Sequence, residues 1–219
     1  MAAKRTKSSR VTRPSRRTQI VWVTFLAAMT AVTAMLAVQG TERRTGFLLT
    51  SLETVGGAST GGDGLFQIAT PVDSARWTGI VIHHLGEPAG DAESVARLHQ
   101  QQNIKGLGFH FLIGNGNGLG DGVVHVGYRW NEQLPGAHVI GAKGDYHNQH
   151  SIGICLIGNG DRRSFTDRQY AQLINLVQRL QAELHIPARN VYLHRDLSDQ
   201  TTSPGKFFAL ARVQEQLLK

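Results

Sequence analysis

The sequence predicts an α/β domain with a mixed central β-sheet flanked by helices, preceded by one N-terminal transmembrane helix. Three observations predict it. Short β-branched runs alternate with amphipathic helical stretches between residues 72 and 219. Two of those runs, Phe109–Ile113 and Val123–Tyr128, flank a glycine-rich tip and read as an antiparallel hairpin, which makes the sheet mixed. Upstream, Ile20 to Val38 runs without a single charged side chain. At 1.5 Å per residue that run is about 28 Å long, close to the hydrocarbon thickness of a bilayer.

The N-terminal third divides by composition. Residues 1–19 carry Lys4, Arg5, Lys7, Arg10, Arg13, Arg16 and Arg17 and no acidic residue, a cationic cytoplasmic arm. Of the 23 Lys and Arg in the chain, 16 remain outside this arm, against 16 Asp and Glu. The net charge of +7 therefore belongs to the arm, and the rest is formally neutral, which removes the nucleic-acid reading. Positive charge before residues 20–38, opposed only by Arg43 and Arg44 after it, predicts a signal-anchor with its N-terminus in the cytoplasm and the following domain outside. The rival is a cleaved signal peptide. Its apolar region would be about 7–15 residues, and Ala37-Val38-Gln39 makes a poor cleavage site. Residues 39–71, with Gly56-Gly57 and Gly61-Gly62-Asp63-Gly64, form a flexible tether. Cys155 is the single cysteine, so no intramolecular disulfide exists.

Within residues 72–219 the elements follow in order. Gly79–Leu85 reads as a buried strand. Asp91 is the N-cap of a helix with Val95, Leu98 and Gln102 on one side. Phe109–Ile113 ends in a loop over residues 114–122, which lacks the Lys-Ser/Thr and helix of a phosphate cradle. Ser151–Gly158 is the most apolar run and reads as a central strand. Thr166 and Gln169 form a capping box, and Tyr170, Leu173, Ile174, Val177, Leu180 and Leu184 repeat near 3.6 until His185-Ile186-Pro187 stops the helix. Asn190–His194 is the last strand and Lys206–Leu218 the last helix.

Two β-branched runs end in histidine, at His83 and His194. Strand-end imidazoles brought together in a fold make a zinc site, because neutral imidazole is the usual nitrogen ligand and rigid strands fix the ring directions. The Ser203-Pro204-Gly205 turn, nine residues after His194, is suited to hold a second ligand.

Ile82-His83-His84, Gly108-Phe109-His110-Phe111-Leu112-Ile113, Gly136-Ala137-His138, Asn148 to Gly158, His194-Arg195-Asp196 and Ser203-Pro204-Gly205 occur in one order. Together they resemble the zinc-dependent N-acetylmuramoyl-L-alanine amidases of the phage-lysozyme and peptidoglycan-recognition-protein type. The resemblance implies peptidoglycan as partner and Zn2+ as cofactor, with metal positions at His83, His194 and Ser203 and an open position for water. It implies hydrolysis of the amide joining the lactyl group of muramic acid to L-alanine. His138 resembles a histidine of the substrate groove, and Asn115 and Asn148 resemble residues bordering it. Thr201 stands where many members carry a Lys or Thr that assists at the developing oxyanion. Three positions depart from the common pattern. Ser203 replaces a Cys or Asp ligand, which lowers zinc affinity because a hydroxyl is a poor ligand beside thiolate or carboxylate. Phe109 replaces a tyrosine, and Thr201 replaces the lysine of some members. Serine before Pro-Gly also marks relatives that bind peptidoglycan without cutting it, so recognition without hydrolysis is the alternative function.

The remaining candidates take structural readings. Cys155 is a small buried hydrophobe in preference to a ligand. Asp196 is a capping or ligand-supporting residue and Asp199 a solvated loop charge. His84 points to the face opposite His83. His110 is a satisfied sheet histidine. His99 and His185 face solvent or cap helices. His125, His147 and His150 lie in or near loops with no metal spacing.

Overall fold

The computed structural model describes residue 68 and residues 70–218. The cationic arm, the expected span 20–38 and all but the end of the tether lie outside them. Among the described residues, no helix is long and apolar enough to cross a membrane.

The core is a five-stranded sheet in the order β3-β2-β4-β1-β5, built from β1 (Gly79–His84), β2 (Phe111–Ile113), β3 (Val124–Val126), β4 (Ser151–Leu156) and β5 (Val191–Leu193). Three of its pairings, β1 with β4, β1 with β5 and β2 with β4, are parallel, while β2 and β3 form the antiparallel hairpin. The mixed sheet is as the sequence predicts. Alternation along the strands sorts the side chains into two faces. Ile80, Ile82, Phe111, Ile113, Ile152, Ile154 and Leu156 turn to one face, where Tyr170, Leu173, Val177 and Leu180 of the long helix α4 (Asp167–Leu184) cover them. The other face carries two smaller apolar groups. Val95 of α1 (Ala92–Gln101) packs with Phe109, Leu112 and Cys155, and Val81 packs with Val139 and Leu197.

Both expected helix starts form. Asp91 and Ser94 bond reciprocally at the start of α1, and Thr166 and Gln169 do so at the start of α4. Gln169 also donates from Nε2 to the carbonyls of Ile113 and Ile157, tying α4 to the ends of two strands. At the far end, His185 closes α4 in the left-handed region at φ 57°, so this histidine is a cap.

Several elements differ from the sequence reading. The buried side of α1 is Val95 and His99, an i, i+4 pair, while Leu98 is half-buried and Gln102 exposed. His99 is thus a core residue and does not face solvent. Its Nδ1 accepts from Gly108 N at 2.8 Å, which offsets the desolvation of a polar ring. Tyr128 opens the short helix α2 (Tyr128–Asn131), and a further helix, α3 (Gly144–His150), precedes β4 without an apolar period to announce it. His147 and His150 lie on α3 and not in loops. His194 leaves β5 and opens α5 (His194–Leu197), with Asp196 accepting weakly from Leu193 N at 3.3 Å, the capping role expected of it. The last helix, α6, is confined to Leu210–Gln214. Residues 207–209 do not join it because their N–H groups bond elsewhere: Phe207 to Gly160 O, Phe208 to Gly205 O and Ala209 to Tyr170 Oη.

His110 is a satisfied core histidine. Its Nδ1 accepts from Gly153 N at 3.0 Å, and its Nε2 donates to Leu134 O at 3.1 Å. Burial lowers its pKa to about 3. The folded ring stays neutral while the unfolded chain takes up a proton near the usual 6.5, so this contribution is complete above pH 6.5 and is lost as pH falls towards 3. Stability should therefore fall by about 1.4 kcal/mol per pH unit from this group between pH 6 and pH 4. Denaturant unfolding across that range should show His110→Gln with a shallower pH slope than the wild type, and equal slopes would remove His110 as the cause.

Candidate metal and substrate site

The two strand-end histidines converge. The parallel pairing of β1 with β5 sets Ile82 beside Leu193, so the next residue on each strand is a histidine. The rings of His83 and His194 lie 4.4 Å apart, centre to centre. His83 stands where the two apolar groups of its face meet. Val81 on its own strand belongs to one, and Cys155, its register partner on β4, belongs to the other. His84 turns to the opposite face, as alternation requires. There its Nδ1 accepts from Gly160 N.

The imidazoles are withdrawn from water. His83 is 1% exposed and His194 7%. Burial, followed by the neighbouring rings of His138 and His194, pushes the pKa of His83 well below its ordinary value. Burial, with the nearby His84, lowers that of His194 to about 4. Both rings are neutral at physiological pH, the form in which imidazole ligates metal. Nε2 of His194 is buried with no hydrogen-bond partner among the described residues. A buried nitrogen left in this state is costly unless something outside the chain meets it.

His138 lies beneath His83 and not on an open groove wall. It is 6% exposed, with Nδ1 3.0 Å from His83 Nε2 and Nε2 3.1 Å from the Ser151 carbonyl oxygen. The space for its ring exists because two neighbours are glycine. A Cβ on Gly136 would fall 2.3 Å from His138 Cδ2, and one on Gly153 would fall 2.5 Å from the same atom. Phe109 packs on this group, 5.2 Å from the His83 ring and 6.3 Å from that of His138.

Ser203 reaches the same end of β1. Its Oγ accepts from His84 N at 2.9 Å, and the residue is buried. The surrounding turn is fastened by protein groups alone. Arg195 N donates to Ser203 O, Arg195 Nη1 donates to Gly205 O, and Asp161 accepts from Thr202 Oγ1 and Lys206 N. Gly205 has φ +96° and sits against Gly160, where a Cβ would meet backbone at 2.2 Å. Thr201 Oγ1 accepts from Ser203 N at 3.1 Å, leaving its hydroxyl proton free to donate.

The two asparagines are elsewhere. Asn148 clamps the strip that carries His138: its Oδ1 accepts from His138 N and Val139 N, and its Nδ2 donates to Val139 O. It also borders a recess of about 490 Å³ with Arg76, Asp145 and His150. Asn115 lines a separate cavity of about 200 Å³ beside Asn159, Phe165 and Gln169, and its amide is engaged with Pro88 O and Asn117 N. Cys155 is fully buried among apolar side chains, which raise its thiol pKa strongly, so the hydrophobe reading of it stands.

The donor set fits zinc in part. Two neutral imidazoles, one with an orphaned nitrogen, suit it. No group of three His, Cys, Asp or Glu able to hold a metal occurs among the described residues, because both nitrogens of His138 are engaged and the third position is a serine. Sequence reasoning found the pair and the turn. It missed the glycine cradle, the burial of His99 and the clamping role of Asn148, all of which depend on contacts between distant segments.

A mixed sheet with a histidine pair at the ends of its parallel strands and a Ser-Pro-Gly turn beside it is the arrangement the sequence resemblance implies. The chain belongs to the N-acetylmuramoyl-L-alanine amidase family, whose sequence profile matches residues 73–206. Among solved structures it is similar to the N-acetylmuramoyl-L-alanine amidase LysC of Clostridium intestinale, 27% identical with a TM-score of 0.56, over 68% of this chain and 91% of that one. It is also similar to bumblebee PGRP-SA, 26% identical with a TM-score of 0.50, over 62% of this chain and 80% of that one. A Haemophilus influenzae protein described as uncharacterized is 39% identical over 90 residues, 39% of this chain and 70% of that one.

The cradle is testable. Gly153→Ala should displace the His138 ring or shift β4, lowering stability by about 1–3 kcal/mol, the usual range for overpacking. Denaturant unfolding reads this directly, and an unchanged midpoint would mean that the ring is not tightly held.

Proposed function

We propose that this domain is an anchored peptidoglycan amidase that takes zinc on His83 and His194, with Ser203 as a weak third position. The single observation that carries the reading is the buried, partnerless Nε2 of His194 beside the His83 ring. A site that only contacted a glycopeptide through surface groups would have no need of a desolvated bare nitrogen at this depth. Zinc bound there would lower the pKa of a water towards about 7 and polarise the lactyl–L-alanine carbonyl. The chain's own residues supply the rest. Phe109 and the aliphatic strip around Val139 exclude water from the histidines, and Thr201 offers a hydroxyl to the carbonyl oxygen of the substrate. The apolar run 20–38, flanked by the cationic arm, would hold the domain outside the cytoplasmic membrane, and residues 39–71 would let it reach the wall.

One observation favours a second reading. Ser203 Oγ is neutral and already accepts from His84 N, and Phe109 brings no hydroxyl to the site. Recognition of peptidoglycan without hydrolysis follows if the zinc is held too weakly.

Both are separated by one experiment on the full chain with purified muropeptide. The amidase reading expects peptide release that rises with added zinc and stops with a chelator. It also expects Ser203→Cys to tighten zinc and raise the rate by about tenfold or more, since 1.4 kcal/mol of added interaction is a factor of ten. Binding to sacculi with no release at any zinc concentration selects recognition, and loss of both ends both readings.

A further inference from the structure

The geometry points to His138 as a positioning residue that fixes the ring tautomer of His83, so that His83 presents Nδ1 as a bare electron-pair donor. The inference rests on the reading of His83 as a metal ligand, although its first readout, the tautomer, requires no metal.

The hydrogen bonds run in one direction. The Ser151 carbonyl oxygen can only accept, so the proton of His138 is on Nε2, 3.1 Å away. His138 is buried against the His110 ring at 5.7 Å and the His83 ring at 4.9 Å, and such crowding disfavours a second proton. Its Nδ1 is therefore an acceptor. His83 Nε2 lies 3.0 Å from that nitrogen, so it must be the donor, since two bare nitrogens have nothing to share. His83 is itself almost wholly buried beside two other imidazoles and carries one proton only. With that proton on Nε2, the lone pair is on Nδ1.

The relay is anchored at both ends. At its base, Ser151 opens β4 in register with Gly79 of β1, and its Oγ pairs with His147 Nδ1 at 2.9 Å. At its middle, Asn148 holds the backbone of residues 138 and 139, and the missing Cβ atoms of Gly136 and Gly153 leave room for the ring. Ligating histidines commonly donate their other N–H to a carboxylate or a backbone carbonyl, which fixes the tautomer and raises ligand basicity. Here, among the described residues, no carboxylate bonds to His83. A second imidazole takes that place and passes the bond on to a main-chain carbonyl. Both nitrogens of His138 are thereby engaged within the protein, which leaves neither free for a sugar or peptide. The residue acts on bound substrate only through His83.

Tautomers are read directly by two-bond proton–nitrogen correlation on the 15N-labelled full chain, free of metal and at neutral pH. The wild type should show His83 protonated at Nε2. His138→Phe should abolish the single tautomer and weaken zinc binding roughly 10–100-fold, the usual cost of losing a ligand's supporting group. His138→Gln, whose amide both accepts and donates, should keep more of both than the Phe variant does. Protonation of His83 at Nδ1 in the wild type overturns the inference, as does a Phe variant with unchanged tautomer and zinc affinity. Should the Phe variant fail to fold, the wild-type spectrum and the Gln variant decide. The expected tautomer in a chain that releases no peptide would defeat only the amidase reading, whereas release by a chain with the opposite tautomer would defeat only this one.

Discussion

The parallel pairing of β1 with β5 is the constraint on which the site depends. It involves only Ile80, Val81 and Ile82 against Val191, Tyr192 and Leu193, yet it decides which residues leave the sheet side by side. A one-residue slip would turn every side chain of β5 to the other face and carry His194 away from His83. The register is held because Ile80, Ile82 and Leu193 must reach the core beneath α4, while Val81 must meet Val139 and Leu197 on the other side. Core packing on one face thus sets the position of the chemistry on the other. β1 lies between β4 and β5, so the same strand also aligns His83 with Cys155 and brings Ser151 and Gly153 to the His138 ring.

The opposite face could not be a uniform apolar layer and still hold the imidazoles. It is divided into two small clusters, and the histidines occupy the seam between them. Each buried ring there is matched by a specific partner: His99 by Gly108 N, His110 by Gly153 N and Leu134 O, and His138 by His83 and Ser151 O. His194 is the exception. Among the described residues its Nε2 is a buried nitrogen with no hydrogen-bond partner, and the desolvation of that atom is uncompensated within the chain.

Much of the framework was legible in the sequence, and the limits are physical. The strands with β-branched runs, the N-cap at Asp91, the capping box at Thr166 and the helix ending at His185 follow from periodicity and local hydrogen bonding, which a linear sequence records. The convergence of His83 and His194 was legible because both end apolar runs. By contrast, α3 has no apolar period, since it is a short stretch held by its flanks. The expected length of the last helix failed because Phe207, Phe208 and Ala209 give their N–H groups to Gly160, Gly205 and Tyr170. His99 looked like a polar helix residue because nothing in its own segment reveals Gly108 N waiting above it. Asn148 also has a clamping role that its own segment does not reveal, because its partners, ten and nine positions upstream, are joined to it only by the folded turn.

The Ser203 turn is held by contacts of its own. Its backbone is fixed by Arg195, His84 and Asp161, and Gly205 fits against Gly160. Serine is the smallest side chain that still accepts from His84 N, so it keeps the turn closed against β1 with a neutral group. The consequence is selective. Ser203 holds the turn to β1 through its hydroxyl, whereas the strip at residues 138 and 139 is held by Asn148 and the sheet register. The turn and the His138 strip are thus set by different contacts, so a change at Ser203 acts on the first and leaves the second in place.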